Sequence, residues 1–197
     1  GDPIDGVFPV YTTTSGGVRW TPVKTPLVAL EGEYGFSASG TSIIYKDEMF
    51  VIVTGGQSSR FIKTEDLGKT WTSTLLPFES KASSGAYSVA MKNKLEGVVV
   101  GGNYKRPEDA SKNCFITSDG GKTWKAPTTK PRGYRSCVIE HKGVYYTCGT
   151  TGIDYSLDNG ENWSPLTSGK FYTLTVLKNK LIASATEGRI AKFKLRK

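Results

Sequence analysis

Cysteine, histidine and methionine are scarce in this chain, with three, one and two copies among 197 residues. Three cysteines are too few for a disulfide scaffold, and the odd count leaves at least one thiol unpaired unless it bridges two chains. The single histidine, His141, has no cluster of metal-ligand residues around it in the sequence, which argues against a metal centre. No apolar run reaches the roughly 18 to 20 residues of a membrane-spanning helix, and the first residues lack a basic n-region. No G-x-G-x-x-G follows a strand and opens a helix, so no cofactor is expected.

The abundant residues point to an all-β chain. The 23 glycines and 10 tyrosines indicate many tight turns and strands with aromatic faces. Lys and Arg total 26 against 18 Asp and Glu, and the net charge of +8 favours anionic partners. Candidates are nucleic acid, acidic glycans and anionic protein surfaces. No RNP-type aromatic motif, zinc-finger spacing or basic helix accompanies the charge, so nucleic acid is not the expected partner.

The decisive pattern is a repeat. All four tryptophans close the same octapeptide: 13–20 (TTSGGVRW), 64–71 (TEDLGKTW), 117–124 (TSDGGKTW) and 156–163 (SLDNGENW). The third position is Asp66, Asp119 and Asp158 in three copies and Ser15 in the first, and the fifth is always glycine: Gly17, Gly68, Gly121 and Gly160. An Asp carboxylate can turn back onto nearby N–H groups, Gly takes a positive φ at low cost, and the closing Trp (Trp20, Trp71, Trp124, Trp163) is expected to pack between layers. The tryptophans recur at spacings of 51, 53 and 39 residues, the size of a four-stranded propeller blade. The octapeptide resembles the Asp-box, or bacterial neuraminidase repeat, S/T-x-D-x-G-x-T/S-W. That resemblance implies a β-propeller of four-stranded antiparallel blades in which the boxes are structural hairpins.

Alternating apolar runs fill the intervals between boxes. Residues 41–45, 49–54, 60–64 and 70–75 read as one blade, 87–91, 97–100, 114–117 and 123–126 as the next, and 135–140, 144–148, 153–156 and 162–166 as a third. Complete blades are therefore expected at about 37–78, 84–128 and 133–167. Remnants flank them at 1–30 and 168–197. The count of two outer strands, twelve in complete blades and three at the end overfills a simple closed ring. It suggests the C-terminal part of a larger ring, or one whose N-terminal portion is missing, with an independent four-bladed ring as the alternative.

Further stretches extend the resemblance over nearly the whole chain: GDPIDG, GEYGFSASGTSI, VTGGQSSRFIKT, VVVGGNYKRPEDASKN, PRGYRS and EGRIAKFK. They look like the photosystem II stability and assembly factor-like branch of Asp-box proteins. That branch also occurs in non-photosynthetic bacteria, under sialidase-like, glycosyl hydrolase-like or oxidoreductase labels. The resemblance implies a ring of about seven blades and an extracytoplasmic setting, periplasmic or secreted.

Strand parity separates the two ends of such a ring. First-to-second and third-to-fourth turns, which include the boxes, share one end; second-to-third turns and blade-crossing loops share the other. The long loops 23–40, 55–60, 77–87, 101–113, 128–135, 149–152, 167–172 and 186–189 therefore gather on the end opposite the boxes. They carry Arg60, Tyr104, Arg106, Arg132, Tyr134, Arg135 and Arg189, residue types that dominate recognition surfaces and bind carboxylates bidentately. The reading is a non-catalytic binding or assembly scaffold for a protein, peptide or acidic glycan, with the five arginines adding around one mouth.

The rival reading is a sialidase-like glycoside hydrolase. It needs an arginine triad, for which Arg60, Arg135 and Arg189 are the candidates, with a tyrosine nucleophile such as Tyr134 or Tyr104 activated by Glu33. The Arg-Ile-Pro signature of true sialidases is absent; Arg189, Ile190 and Ala191 only echo it, at the wrong end. His141 precedes Lys142 and Gly143 in an expected two-residue turn. Counting outward from that turn sets Cys137 opposite Cys148, read as two free, buried thiols.

Overall fold

Strands rich in Val, Ile and aromatic residues, broken every few residues by Gly-containing turns, leave this chain little but antiparallel sheet. The computed structural model describes residues 1–36 and 39–196. Ser37 and Ala38, at the start of the expected first complete blade, and Lys197 lie outside the described residues. Among the described residues the only helical element is the turn Thr186–Gly188.

The first strands are short: β1 (Val7–Phe8), β2 (Tyr11–Thr12), β3 (Thr21–Pro22), β4 (Leu27–Val28) and β5 (Glu33–Tyr34). Two of their pairs, β1 with β4 and β2 with β3, form two-stranded ribbons. The next sheet runs β6 (Ile43–Lys46), β7 (Met49–Val53), β9 (Arg60–Thr64) and β10 (Thr72–Leu75) from inside to outside. Between β7 and β9 lies the short β8 (Gly55–Gly56). The following sheet contains β11 (Ser84–Met91), β12 (Gly97–Asn103) and β13 (Cys114–Thr117). Then come β14 (Cys137–His141), β15 (Val144–Gly149), β16 (Gly152–Ser156) and β17 (Ser164–Thr167), and last β18 (Phe171–Leu177), β19 (Lys180–Ala185) and β20 (Ile190–Lys194). Among the described residues no strand ladder joins β18–β20 to the sheets at the start of the chain.

Two details depart from the sequence reading. Residues 123–126 do not form a fourth strand in the β11 sheet; a single bridge, Ile116 to Lys125, takes its place, because Pro127 lacks the N–H that would extend the ladder. That sheet instead gains strands on its inner edge, where Gly85 pairs with Gly55 of β8 and β8 pairs with β5. The register of β14 with β15 sets Cys137 opposite Cys148 and His141 opposite Val144. Lys142 and Gly143 both take positive φ, as a two-residue hairpin turn requires, and all three cysteines are free and buried.

Packing between sheets builds the core. Val51, Val53 and Phe61 meet Val89, Val99 and Phe115 between the first two complete sheets. Val98 and Val100 meet Val138, Tyr145 and Trp163 at the next interface, and Tyr146 and Cys148 meet Phe171, Leu174 and Leu181 at the last. Every residue of β11 and β12 is buried, because both faces of that sheet are covered. Inner strands are also stitched by side chains: Ser88 Oγ accepts from Val138 N at 2.8 Å and lies 2.6 Å from Thr41 Oγ1.

The boxes share one hydrogen-bond plan. In 64–71 the N–H of Gly68 donates to Thr64 Oγ1 at 2.9 Å, Thr64 Oγ1 donates to one Asp66 oxygen at 2.8 Å, and Thr70 Oγ1 donates to the other at 2.6 Å. Thr117, Asp119 and Thr123 repeat these bonds, and Ser156, Asp158 and Asn162 do so with an amide in the last place. Positions four and five are both left-handed, as at Gly120 (φ 76) and Gly121 (φ 83), and a Cβ on Gly121 would overlap the Phe61 ring.

The tryptophans do not share one fate. Trp163 is 4% exposed and Trp71 and Trp124 are half-buried, but Trp20 is 59% exposed, contrary to the expectation that all four pack inside. Its box ends the two-stranded β2–β3 ribbon, and among the described residues no further sheet covers it.

Hydrogen bonds from Thr70 hold the Asp66 carboxyl at about 2, and those from Thr123 do the same for Asp119. Depressed folded-state values stabilise the fold fully above the ordinary carboxylate range near 3.8, and this contribution is lost as pH falls toward 2. Melting temperatures are therefore expected to fall between pH 4 and 2, less steeply in Asp119→Asn than in the parent chain. Parallel curves for the two proteins would contradict this account.

Candidate functional site

The loop end opposite the boxes is where the structure departs most from a mouth of free arginines. Arg60 is 8% exposed and forks onto the buried Glu33: its Nε donates to one carboxylate oxygen at 2.8 Å, its Nη2 to the other at 2.7 Å and to Val28 O at 2.8 Å. Thr54 Oγ1 donates to the same carboxylate.

Arg135 is fully buried. Its Nη2 donates to Asp154, and Nη1 donates to Thr151 Oγ1 at 2.8 Å. Burial presses its guanidinium below its ordinary range, against the opposing pull of Asp154. Arg132 shares that carboxylate, donating from Nε at 2.7 Å and from its backbone N–H at 3.0 Å, and also reaches Ile153 O and Thr167 O.

These contacts correct the expectation for Arg60 and Arg135, whose charges are spent inside the protein. A guanidinium buried beside a carboxylate gains from its partner and is closed to a ligand. Arg106 is exposed but paired with Glu79 and Asp109, and Arg189 donates to Thr186 Oγ1 at 2.8 Å. A triad of Arg60, Arg135 and Arg189 is not assembled, and Glu33 is held by Arg60 rather than beside a tyrosine nucleophile.

What the loop end offers instead is an open aromatic basin of about 580 Å³. Tyr34, Phe36, Tyr87, Tyr104 and Tyr134 line it, with Asp2 and Ala82 beside them. Phe36 stacks on Tyr87 with centroids 4.1 Å apart, and Tyr134 meets Tyr87 edge-on at 4.9 Å. The β5–β8 pairing brings Tyr34 and Phe36 across to the sheet that holds Tyr87. Tyr104 is 50% exposed. Tyr87 is 6% exposed, and among the described residues its hydroxyl has no hydrogen-bond partner. Burial first, and then the neighbouring Tyr134 and Tyr104, push its phenol well above the ordinary range, so it remains protonated.

Tyr104 and Tyr134 were legible as candidates from loop parity. Phe36 was not singled out, although an aromatic residue in a loop rich in Gly and Ser was the available signal. Asp154 was also missed; its signal was a carboxylate at the centre of the apolar run GIDYS. Among the described residues no group of His, Cys, Asp and Glu could hold a metal ion, and no helix is long and apolar enough to cross a membrane.

The BNR/Asp-box repeat model matches residues 115–126 and 154–165, which contain two of the boxes described above. The chain carries BNR/Asp-box repeats on a β-propeller fold. Solved structures with the same architecture include YCF48 from Cyanidioschyzon merolae, at 16% identity and a TM-score of 0.56, covering 98% of this chain and 61% of that one. A GH74 enzyme from Niastella koreensis aligns at 11% identity and a TM-score of 0.57, covering 92% of this chain and 33% of that one. BamB from Moraxella catarrhalis aligns at 13% identity and a TM-score of 0.55, covering 90% of this chain and 49% of that one. This Asp-box chain thus spans between a third and three fifths of the length of these three proteins. At such identities the likeness shows the fold alone. No curated protein sequence matches the chain.

Proposed function

We propose that this Asp-box propeller is a non-catalytic binding scaffold that holds a protein or peptide segment against its loop end. The observation that carries the reading is the aromatic basin, with the buried Tyr87 hydroxyl beneath it without a hydrogen-bond partner among the described residues. Buried hydroxyls are nearly always hydrogen-bonded, and an open aromatic hollow of this size suits a side chain or short segment of a partner. Internal pairing of Arg60 and Arg135 supports binding by rings rather than by an arginine cluster, and it removes residues that a sialidase-like reaction would need.

The test is a peptide library panned on the immobilised protein, followed by titration of the selected peptides. Tyr104→Ala should weaken them about tenfold or more, as truncation of an aromatic hot spot does. Lys178→Glu, on the hairpin turn between β18 and β19 at the other end, should leave binding unchanged. Equal effects from both variants, or turnover of a fluorogenic sialoside by the parent protein, would overturn the reading.

A further inference from the structure

The charge at the basin runs against that of the chain. The protein carries a net charge of +8, yet among the described residues of the basin lining the only side chain with a formal charge is Asp2. Of the nearby cations, Lys81 pairs with Glu79 and Arg106 with Glu79 and Asp109, while Lys105 lies outside the lining but over the Tyr104 ring, its ammonium 6.0 Å from the centroid. Among the described lining residues no side chain carries a positive charge, and only phenol hydroxyls could donate to an anion.

The rings present two orientations of π-surface. Phe36 and Tyr87 are nearly parallel at 8°, and Tyr134 stands at 89° to Tyr87. Tyr34 and Tyr104 are exposed at the rim. Phe36, Tyr87 and Tyr134 pack on one another, so the exposed Tyr34 and Tyr104 rings, with the Asp2 carboxylate beside them, are the surfaces that attract a cation through the ring quadrupoles. A primary ammonium is strongly hydrated and needs three acceptors. The lining offers few, because Asp2 Oδ1 already accepts from Gly35 N at 2.9 Å. A quaternary ammonium is weakly hydrated and has no N–H to satisfy. Its polarised methyl groups can rest on the exposed Tyr34 and Tyr104 rings and beside the Asp2 carboxylate.

We propose that the basin is an aromatic cage for a quaternary ammonium group, carried by a small molecule or by a methylated lysine side chain. This rests on the assignment of the basin as the binding site.

The experiment is ligand-observed NMR and calorimetric titration of the full chain with choline, with its neutral isostere 3,3-dimethylbutan-1-ol, and with a peptide containing trimethyllysine or unmethylated lysine. Choline and the trimethyllysine peptide should bind about tenfold more tightly than their uncharged or unmethylated counterparts. Tyr104→Ala and Asp2→Asn should each weaken them several-fold, and Lys105→Gln should strengthen them by removing a competing cation. A peptide tighter than choline would identify a side-chain ligand; equal affinities would identify a free headgroup. Binding of the neutral isostere as tight as choline, no binding of either cation at tens of millimolar, or indifference to both Tyr104→Ala and Asp2→Asn would overturn the cage. Panned peptides that still depend on Tyr104 would then leave the binding-scaffold reading standing.

Discussion

Asp154→Ala is expected to lower stability by about 3 to 5 kcal/mol, because it leaves a buried guanidinium without its counter-charge. Arg135 is wholly buried, and its Nε already lacks a partner among the described residues. Arg132 would lose the same carboxylate, and with it the tie between the loop before β14 and strand β16. Asp154→Asn keeps the shape and some of the hydrogen bonds and should cost less. The double variant Arg135→Met with Asp154→Leu removes both charges and should recover much of the loss, since apolar replacement of a buried pair is often near neutral. Denaturant midpoints of the three proteins provide the measurement. A loss below about 1 kcal/mol in Asp154→Ala would show that water reaches Arg135 and that the site is open after all.

Phe61→Ala should destabilise the chain by about 3 to 5 kcal/mol through the cavity it leaves between two sheets. The ring is 1% exposed, packs 5.2 Å from the Trp124 ring at 56°, and lies where Gly121 has no side chain. It therefore joins the core of one sheet to the box hairpin of the next. Trp20→Ala should change stability by less than about 0.5 kcal/mol, because that indole is mostly in solvent. Thermal melts of the two variants beside the parent separate the cases. Similar losses would mean that every box staples its sheet alike, whatever covers its tryptophan.

The sequence by itself determined the parts of this protein whose interactions close within a few residues. An Asp-box is one of these: Thr117 Oγ1 reaches Asp119 and the N–H of Gly121, and Thr123 reaches back to Asp119, all within seven residues. Residue order therefore specifies the hairpin before any sheet forms. The Cys137 to Cys148 register follows in the same way from the two-residue turn at Lys142 and Gly143. The spacing of the boxes, in turn, conveyed the blade repeat and the placing of long loops at one end.

Only the tertiary structure decided what those loops do. Arg60 meets Glu33 across 27 residues and Arg135 meets Asp154 across 19, and neither pair has a local signature. Whether a loop arginine is a ligand anchor or an internal counter-ion depends on which carboxylate the packed sheets bring within reach, and on how much water they exclude. The basin is of the same kind. Tyr34, Phe36, Tyr87, Tyr104 and Tyr134 are scattered over 100 residues, and the short β5–β8–β11 pairing that gathers several of them forms through glycines that carry no hydrophobic pattern. Local order determines turns and strand faces, whereas the partners of long, flexible charged and aromatic side chains are selected by packing between sheets distant in sequence.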